Sequence, residues 1–401
     1  MKILVVHSEL GVLRGGGENF TRSLFLAFAE RGHDVSAAFV ADAGGRYPFA
    51  LPSKIHLIPL RGYWARKFGQ KALSSVASYI PQGIGLRAQW DRVQEAICWR
   101  TVRWHDQRFT RRIKQEFAGR WNEFDAVYVH GSAFLAAHIA QFCPTVLRLP
   151  GPVPAELASV LNTVQAVCAN GDALNQIQRF LGEHAVELPV GLDTDVFRPG
   201  PTRIRKQLGW TKDEWVIGYV GRLAYIKGVD LLVEAFKQVR RSMPQARLLL
   251  VGAGEEEGKL RSSLRHELAE RAVHLESDVP HEFLAEWYRA MDLFVMPSRY
   301  ENYSNAVLEA LACEVPFLVS DVGGNRRLAG TKGGWTFTSG SIDDLVKSIQ
   351  FVATNAALAK AQGTFGGEEI RHKYSWKSSA ERLEDILHSC DQTKVGTACR
   401  P

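Results

Sequence analysis

Short, mostly apolar runs separated by longer segments of helical period recur along the whole chain, and this alternation restricts the fold more than any other feature. Such runs, lacking polar alternation, read as strands buried on both faces, and strands joined through helices lie parallel. In the first half the runs are Ile3–Val6, Val35–Phe39, Ile55–Pro59, Ala126–Val129, Thr145–Leu149 and Ala166–Ala169. In the second they are Trp215–Val220, Ala246–Val251, Ala272–Leu275, Leu293–Met296 and Pro316–Val319. Helical spacing is expected from Gly17 to Arg31-Gly32-His33, where glycine stops the helix, and over Leu86–Phe117, Val229–Arg241, Glu256–Glu270, His281–Ala290 and Tyr303–Cys313. Beyond Gly340 the chain reads as mostly helical to Ser389, with a frayed polar tail to Pro401. The fold class is α/β, built from parallel βαβ units.

A length of 401 residues argues for two or three domains. Pro189–Pro201 is dense in proline and glycine, lacks periodicity and reads as the linker between two architecturally similar halves. Hydrophobic residues at 46% and charged residues at 23% exclude a wholly disordered or collagen-like chain. Six scattered cysteines without a CxxC pair suggest neither a zinc ribbon nor a disulfide framework, and a reducing cytoplasm is the expected compartment. The apolar run after Met1 is too short for a signal peptide, and no segment reaches the roughly 18 apolar residues of a membrane span. Membrane contact is therefore expected to be peripheral.

Charge is unevenly placed. Residues 61–121 hold thirteen basic and four acidic residues, a local +9 in a chain of net +6, so the remainder is −3. The same stretch carries Trp64, Trp90, Trp99, Trp104 and Trp121, half of the ten tryptophans. Basic residues interleaved with Trp suit an anionic membrane or polyanion. A solvated helical face with Trp in the core is the alternative, and no nucleic-acid module is recognisable.

Two motifs carry chemistry. Strand Trp215–Val220 runs into Gly221-Arg222-Leu223, and Lys227-Gly228 opens the next helix. Glycine there lets backbone approach a diphosphate while Arg222 and Lys227 neutralise it, although both could be ordinary surface residues. Further on, Glu301 lies in a loop and Glu309 about two turns into a helix, with the amides near Ser304 and Asn305 as a further anion site. A carboxylate can accept hydrogen bonds from vicinal sugar hydroxyls. Asp193-Thr194-Asp195 spells a metal-binding DxD but sits in the linker. Gly252-Ala253-Gly254-Glu255-Glu256-Glu257-Gly258 imitates a dinucleotide fingerprint, yet its third glycine is one residue late and its acids would repel a pyrophosphate.

Taken in order, these elements resemble glycosyltransferase family 4, with its GT-B fold. The matching residues are Gly15-Gly16-Gly17-Glu18, Arg31-Gly32-His33-Asp34-Val35, Asp193–Pro199, Gly221-Arg222-Leu223 with Lys227-Gly228, and Glu301 to Glu309 followed by Ala310-Leu311-Ala312-Cys313. The resemblance implies two Rossmann-like domains facing across a cleft. Residues 1–190 would hold the acceptor, 191–374 a nucleotide-sugar, 375–390 would form a helix packing back on the first domain, and 391–401 a flexible tail. It also implies that Arg222 and Lys227 bind the donor diphosphate, with Gly16, Gly17 and Gly221 beside it. Glu309 would bind the ribose, Glu301 would face the sugar, and His130 would lie near the reacting carbon.

A packed structural histidine is the plainer reading of His130. The implied reaction is retaining, metal-independent and without cofactor, with leaving-group stabilisation carrying much of the rate. The acceptor expected from the basic segment is a lipid-linked, surface-polysaccharide or lipopolysaccharide intermediate at the inner membrane face, with no nucleic acid as partner. A sugar-nucleotide epimerase, a phosphorylase-like enzyme and a dead glycan-binding scaffold are the alternatives. Val190, Gly171, Glu314 and Arg326-Arg327 depart from the commonest family pattern and remove any inference about sugar identity.

Overall fold

The computed structural model describes residues 1–10, 16–41, 53–61, 107–151, 153–277, 279–302, 304–330 and 333–397. Most of the basic, Trp-rich stretch, Gly15, Tyr303, Cys98 and Cys399 lie outside them, as do Leu86 to Asp106 of the expected helix; residues 107–116 are helical. Contacts divide the chain into two units. Unit 1 comprises Met1–Ala169, Gln176–Leu188 and Ala380–Pro401; unit 2 comprises Asn170–Asn175 and Pro189–Ser379.

Unit 1 holds β1 (Lys2–Val6), β2 (Asp34–Ala41), β3 (His56–Arg61), β4 (Ala126–His130), β5 (Thr145–Arg148), β6 (Ala166–Ala169) and β7 (Ala185–Glu187). Unit 2 holds β8 (Trp215–Val220), β9 (Ala246–Val251), β10 (Val273–Glu276), β11 (Leu293–Met296), β12 (Phe317–Ser320) and β13 (Gly334–Phe337). The orders are β3-β2-β1-β4-β5-β6-β7 and β10-β9-β8-β11-β12-β13. All the strand pairs are parallel. Both sheets are thus doubly wound, reversing their direction of growth between β1 and β4 and between β8 and β11. Central strands are buried throughout: Ile3, Leu4, Val5 and Val6 of β1 and Leu293, Phe294, Val295 and Met296 of β11 are at most 2% exposed. That double burial explains their unbroken apolar runs.

The structure differs from the sequence reading at several elements. Glu256–Glu270 is two helices, Glu257–Ser263 and Arg265–Ala269, the backbone leaving helical geometry at Leu264, whose side chain is fully buried. His281–Ala290 is a 3₁₀ turn followed by Leu284–Tyr288. The last helix runs from Trp376 to Thr397, past Ser389, with Cys390 buried on it. From Ala380 onward this helix belongs to unit 1, where Glu384 takes two 2.7 Å bonds from Arg31 and lies 2.5 Å from His33 Nε2. These bonds hold the Glu384 carboxyl down at about 2.

The linker segment is part of the core of unit 2. Phe197 is fully buried and meets the rings of His281 and Tyr288 edge-on at 5.1 and 6.0 Å. Trp376 closes over Gly191, where any side chain would strike its ring. Phe197→Ala is expected to lower stability by about 3–5 kcal/mol through the cavity it leaves, measured by urea unfolding, and Phe197→Leu by much less.

Candidate active site

In unit 2 the polar side chains gather where the sheet order reverses, at the carboxyl ends of β8 and β11. From β8 come Gly221 and Arg222, and the 3₁₀ turn Tyr225–Lys227 then presents Lys227. From β11 comes the loop carrying Ser298 and Glu301. Lys227 Nζ donates to Glu301 Oε2 at 2.6 Å, with the two side chains only 24% and 10% exposed. Ser298 Oγ lies 3.4 Å from the same oxygen. Arg222 is exposed, and its carbonyl accepts the Tyr219 hydroxyl at 2.8 Å.

The Glu301 loop is held from behind. Asn302 Oδ1 accepts the Ala173 amide at 3.1 Å, and its carbonyl accepts the Gly324 amide at 3.0 Å. Gly171 and Gly323 have φ of +58° and +56°, and a Cβ on either would strike the carbonyl oxygen of Asn302 or Glu301. This close approach explains glycine at position 171 and places 170–175 in unit 2, although the sequence boundary assigned them to the first half.

Ser304 caps the helix Asn305–Ala312 in extended geometry but its hydroxyl makes no cap bond. One face of that helix carries Glu309, 8% exposed. His281 Nε2 lies 2.9 Å from Glu309 Oε1, and the Tyr288 hydroxyl donates to Oε2 at 2.8 Å. Burial and the adjacent Glu309 charge push the Tyr288 phenol well above its usual range, so it keeps the proton it donates. His281 and Tyr288 were not foreseen: nothing in their local sequence marks them as partners of a residue more than twenty positions away.

Unit 1 repeats the placement. His7 follows β1 and His130 ends β4, the two strands flanking its reversal. Their rings stack at 4.0 Å with 16° between planes. Gly16 and Gly17 begin the helix Gly16–Glu30, and a Cβ on Gly17 would lie 3.1 Å from His130 Nε2. Burial, His7 and then Arg148 lower the His130 pKa well below its usual value, and burial and Arg148 push His7 down to about 3. Its position after the first strand was the one available signal for His7.

The two decoy motifs have structural roles. Asp193 Oδ1 accepts the amides of Asp195 and Val196 at 3.2 Å each, forming a turn. Among the described residues no group of three His, Cys, Asp or Glu could hold a metal. Gly252 and Gly254 lie directly against the backbone of Gly221 and Leu223, seating the β8 and β9 loops together. Arg326 donates to the Asp321 carbonyl at 2.8 Å.

Residues 201–368 match the family described as glycosyl transferases, group 1. That segment belongs to this family. It contains Arg222, Lys227, Glu301 and Glu309. Curated relatives include the D-inositol 3-phosphate glycosyltransferase of Segniliparus rotundus, 31% identical over 207 residues, 49% of this chain and 45% of that protein. Another is the GDP-mannose-dependent monoacylated alpha-(1-6)-phosphatidylinositol monomannoside mannosyltransferase of Corynebacterium glutamicum, 29% identical over 229 residues, 54% of this chain and 60% of that one. The chain thus spans about half the length of these relatives. Among solved structures, sucrose-phosphate synthase of Thermosynechococcus elongatus superposes with TM-score 0.76 at 19% identity, covering 98% of this chain and 99% of that one. HepE of Anabaena in complex with UDP gives 0.70 at 18% identity, covering 97% and 100%. These likenesses establish the two-sheet GT-B fold.

Breaking the Lys227–Glu301 pair from one side leaves a largely buried charge, so Lys227→Met is expected to cost about 3 kcal/mol in urea unfolding. Adding Glu301→Gln should return much of that loss; additive single losses would show that the two groups do not couple. The His7 shift carries a pH dependence with a definite sign. Because the folded value, about 3, lies below the ordinary 6.5, its contribution is intact above 6.5 and is lost as the unfolded state takes up protons first. Stability is expected to fall between pH 6.5 and 3, and His7→Asn to flatten part of that fall in pH-dependent melts.

Proposed function

We propose that this protein is a retaining glycosyltransferase that moves a sugar from a nucleotide-diphosphate donor to an acceptor hydroxyl. The observation that carries the reading is the Lys227–Glu301 pair at the carboxyl ends of β8 and β11, inside the segment that matches the group 1 transferases. In this reading Arg222 and Lys227 take the diphosphate, helped by the amides at Ser304 and Asn305 and by the open backbone at Gly221. Glu301 accepts hydrogen bonds from the donor sugar, and Glu309 accepts the ribose hydroxyls in place of His281, whose side chain is 46% exposed and can give way. In unit 1, Gly16, Gly17 and His130 are the proposed site residues. Lys227 is placed to neutralise charge as the diphosphate leaves, so electrostatic stabilisation supplies much of the acceleration without a metal or cofactor.

Unit 1 is proposed to take the acceptor, a lipid-linked or surface-glycan intermediate such as one of polysaccharide or lipopolysaccharide assembly. The relative named for a monoacylated phosphatidylinositol monomannoside supports a lipid-linked acceptor. So does the surface: helix 107–116 exposes Arg108, Arg111 and Arg112, and Phe134 and Phe142 are 62% and 52% exposed. No described helix is long and apolar enough to cross a membrane. A cytoplasmic enzyme meeting an anionic membrane peripherally fits these features.

The test is turnover with a panel of UDP-, GDP- and ADP-sugars, with the anomeric configuration of the product read by NMR. One donor class is expected to react with retention, and Glu301→Gln to reduce turnover at least tenfold. The matching nucleotide diphosphate at 100 times its dissociation constant should stabilise the protein by about 2.7 kcal/mol. Stabilisation by none of the nucleotides, or unchanged turnover in Glu301→Gln, would remove the reading of this site. Anionic vesicles should sediment the protein at low salt and release it at high salt.

A further inference from the structure

The stacked histidines of unit 1 share a hydrogen-bond partner whose chemistry constrains both. Thr21, fully buried on the helix Gly16–Glu30, places Oγ1 3.0 Å from His7 Nδ1 and 3.4 Å from His130 Nδ1. One turn earlier on the same helix, Glu18 Oε1 lies 3.8 Å from His7 Nε2, an electrostatic contact rather than a hydrogen bond. Burial first, and then the guanidinium of Arg148, which ends β5 next to β4, disfavour a positive charge on either imidazole. Both rings are therefore neutral near pH 7, each carrying one proton on one nitrogen.

A hydroxyl has one hydrogen, so Thr21 can donate to only one of the two Nδ1 atoms. The Glu18 carboxylate favours the His7 proton on Nε2, which leaves His7 Nδ1 bare to accept the Thr21 hydrogen across the shorter contact. The Thr21 oxygen then turns a lone pair toward His130 Nδ1, which must carry the His130 proton. His130 Nε2 is left bare. It faces Gly17, where the missing side chain keeps that nitrogen open, and His130 retains part of its surface exposed.

We propose that Glu18, His7 and Thr21 are positioning residues that lock His130 in the Nδ1–H tautomer, so that its Nε2 is a hydrogen-bond acceptor toward a substrate hydroxyl. That the hydroxyl belongs to a sugar rests on the proposed function; the tautomer does not. Reversing the chain at either histidine would turn His130 Nε2 into a donor, toward which a substrate hydroxyl could only accept.

The test is long-range ¹H–¹⁵N spectroscopy of the ligand-free, ¹⁵N-histidine-labelled full chain, with His130 and His7 assigned by His130→Gln and His7→Gln. His130 is expected to show a protonated Nδ1 and an unprotonated Nε2, and His7 the reverse. Thr21→Val should release His130 to a tautomer mixture, Thr21→Ser should restore the wild-type pattern, and Glu18→Gln should weaken the His7 preference if Thr21→Val fails to fold. A protonated His130 Nε2 in the wild type, or a His130 pattern indifferent to Thr21→Val, would overturn the proposal. Failure of the nucleotide-sugar panel with these tautomers intact would remove the sugar assignment alone.

Discussion

The reversal of strand order within each parallel sheet is the constraint on which the rest of the structure depends. Connections from adjacent strands leave in opposite directions at β1/β4 and at β8/β11, so the backbone opens at their carboxyl ends where elsewhere a helix would cover it. The polar groups of both units are placed by this one rule. His7 and His130 end the first pair of strands, and the Arg222 and Glu301 loops leave the second. Parallel strands also require burial on both faces, which brings these groups close to solvent-excluded cores and makes their pairing matter.

Each unit meets that requirement differently. In unit 2 the charges are complementary: Lys227 faces Glu301, and Glu309 is satisfied by the His281 imidazole and by a phenol that burial and the Glu309 charge keep protonated. Opposite charges held 2.6 Å apart offset part of each other's desolvation cost. In unit 1 burial keeps the imidazoles neutral, and the buried cation Arg148, stacked on Phe20 at 3.6 Å, adds to the effect. Unit 2 therefore presents charged groups at its strand ends and unit 1 uncharged hydrogen-bonding ones.

Elements were legible where a single physical demand acted on consecutive residues. β8, β9 and β11 coincide with their apolar runs because both faces of each are buried, and helix Val229–Ser242 follows from its periodicity to within one residue. β7 and β13 were not legible. β7 has three residues, and β13 is a sheet-edge strand with partly exposed Gly334, Trp335 and Thr336, so neither carries an unbroken apolar signal. The break at Leu264 escaped periodicity because a buried leucine fits a continuous helix equally well. Of the candidate site, the order of Gly221, Arg222, Lys227, Glu301 and Glu309 could be read along the chain, whereas their partners could not.

By itself, then, the sequence determined that this chain forms two parallel α/β sheets and marked the cations and carboxylates with which their strands end, because hydrophobic periodicity and loop composition are local properties. Tertiary structure alone decided that Lys227 would grip Glu301, that Tyr288 and His281 would hold Glu309, and that Thr21 would stand between two stacked histidines. These pairings join residues from 14 to 109 positions apart in sequence. Packing chooses such partners only once the strands have taken their order.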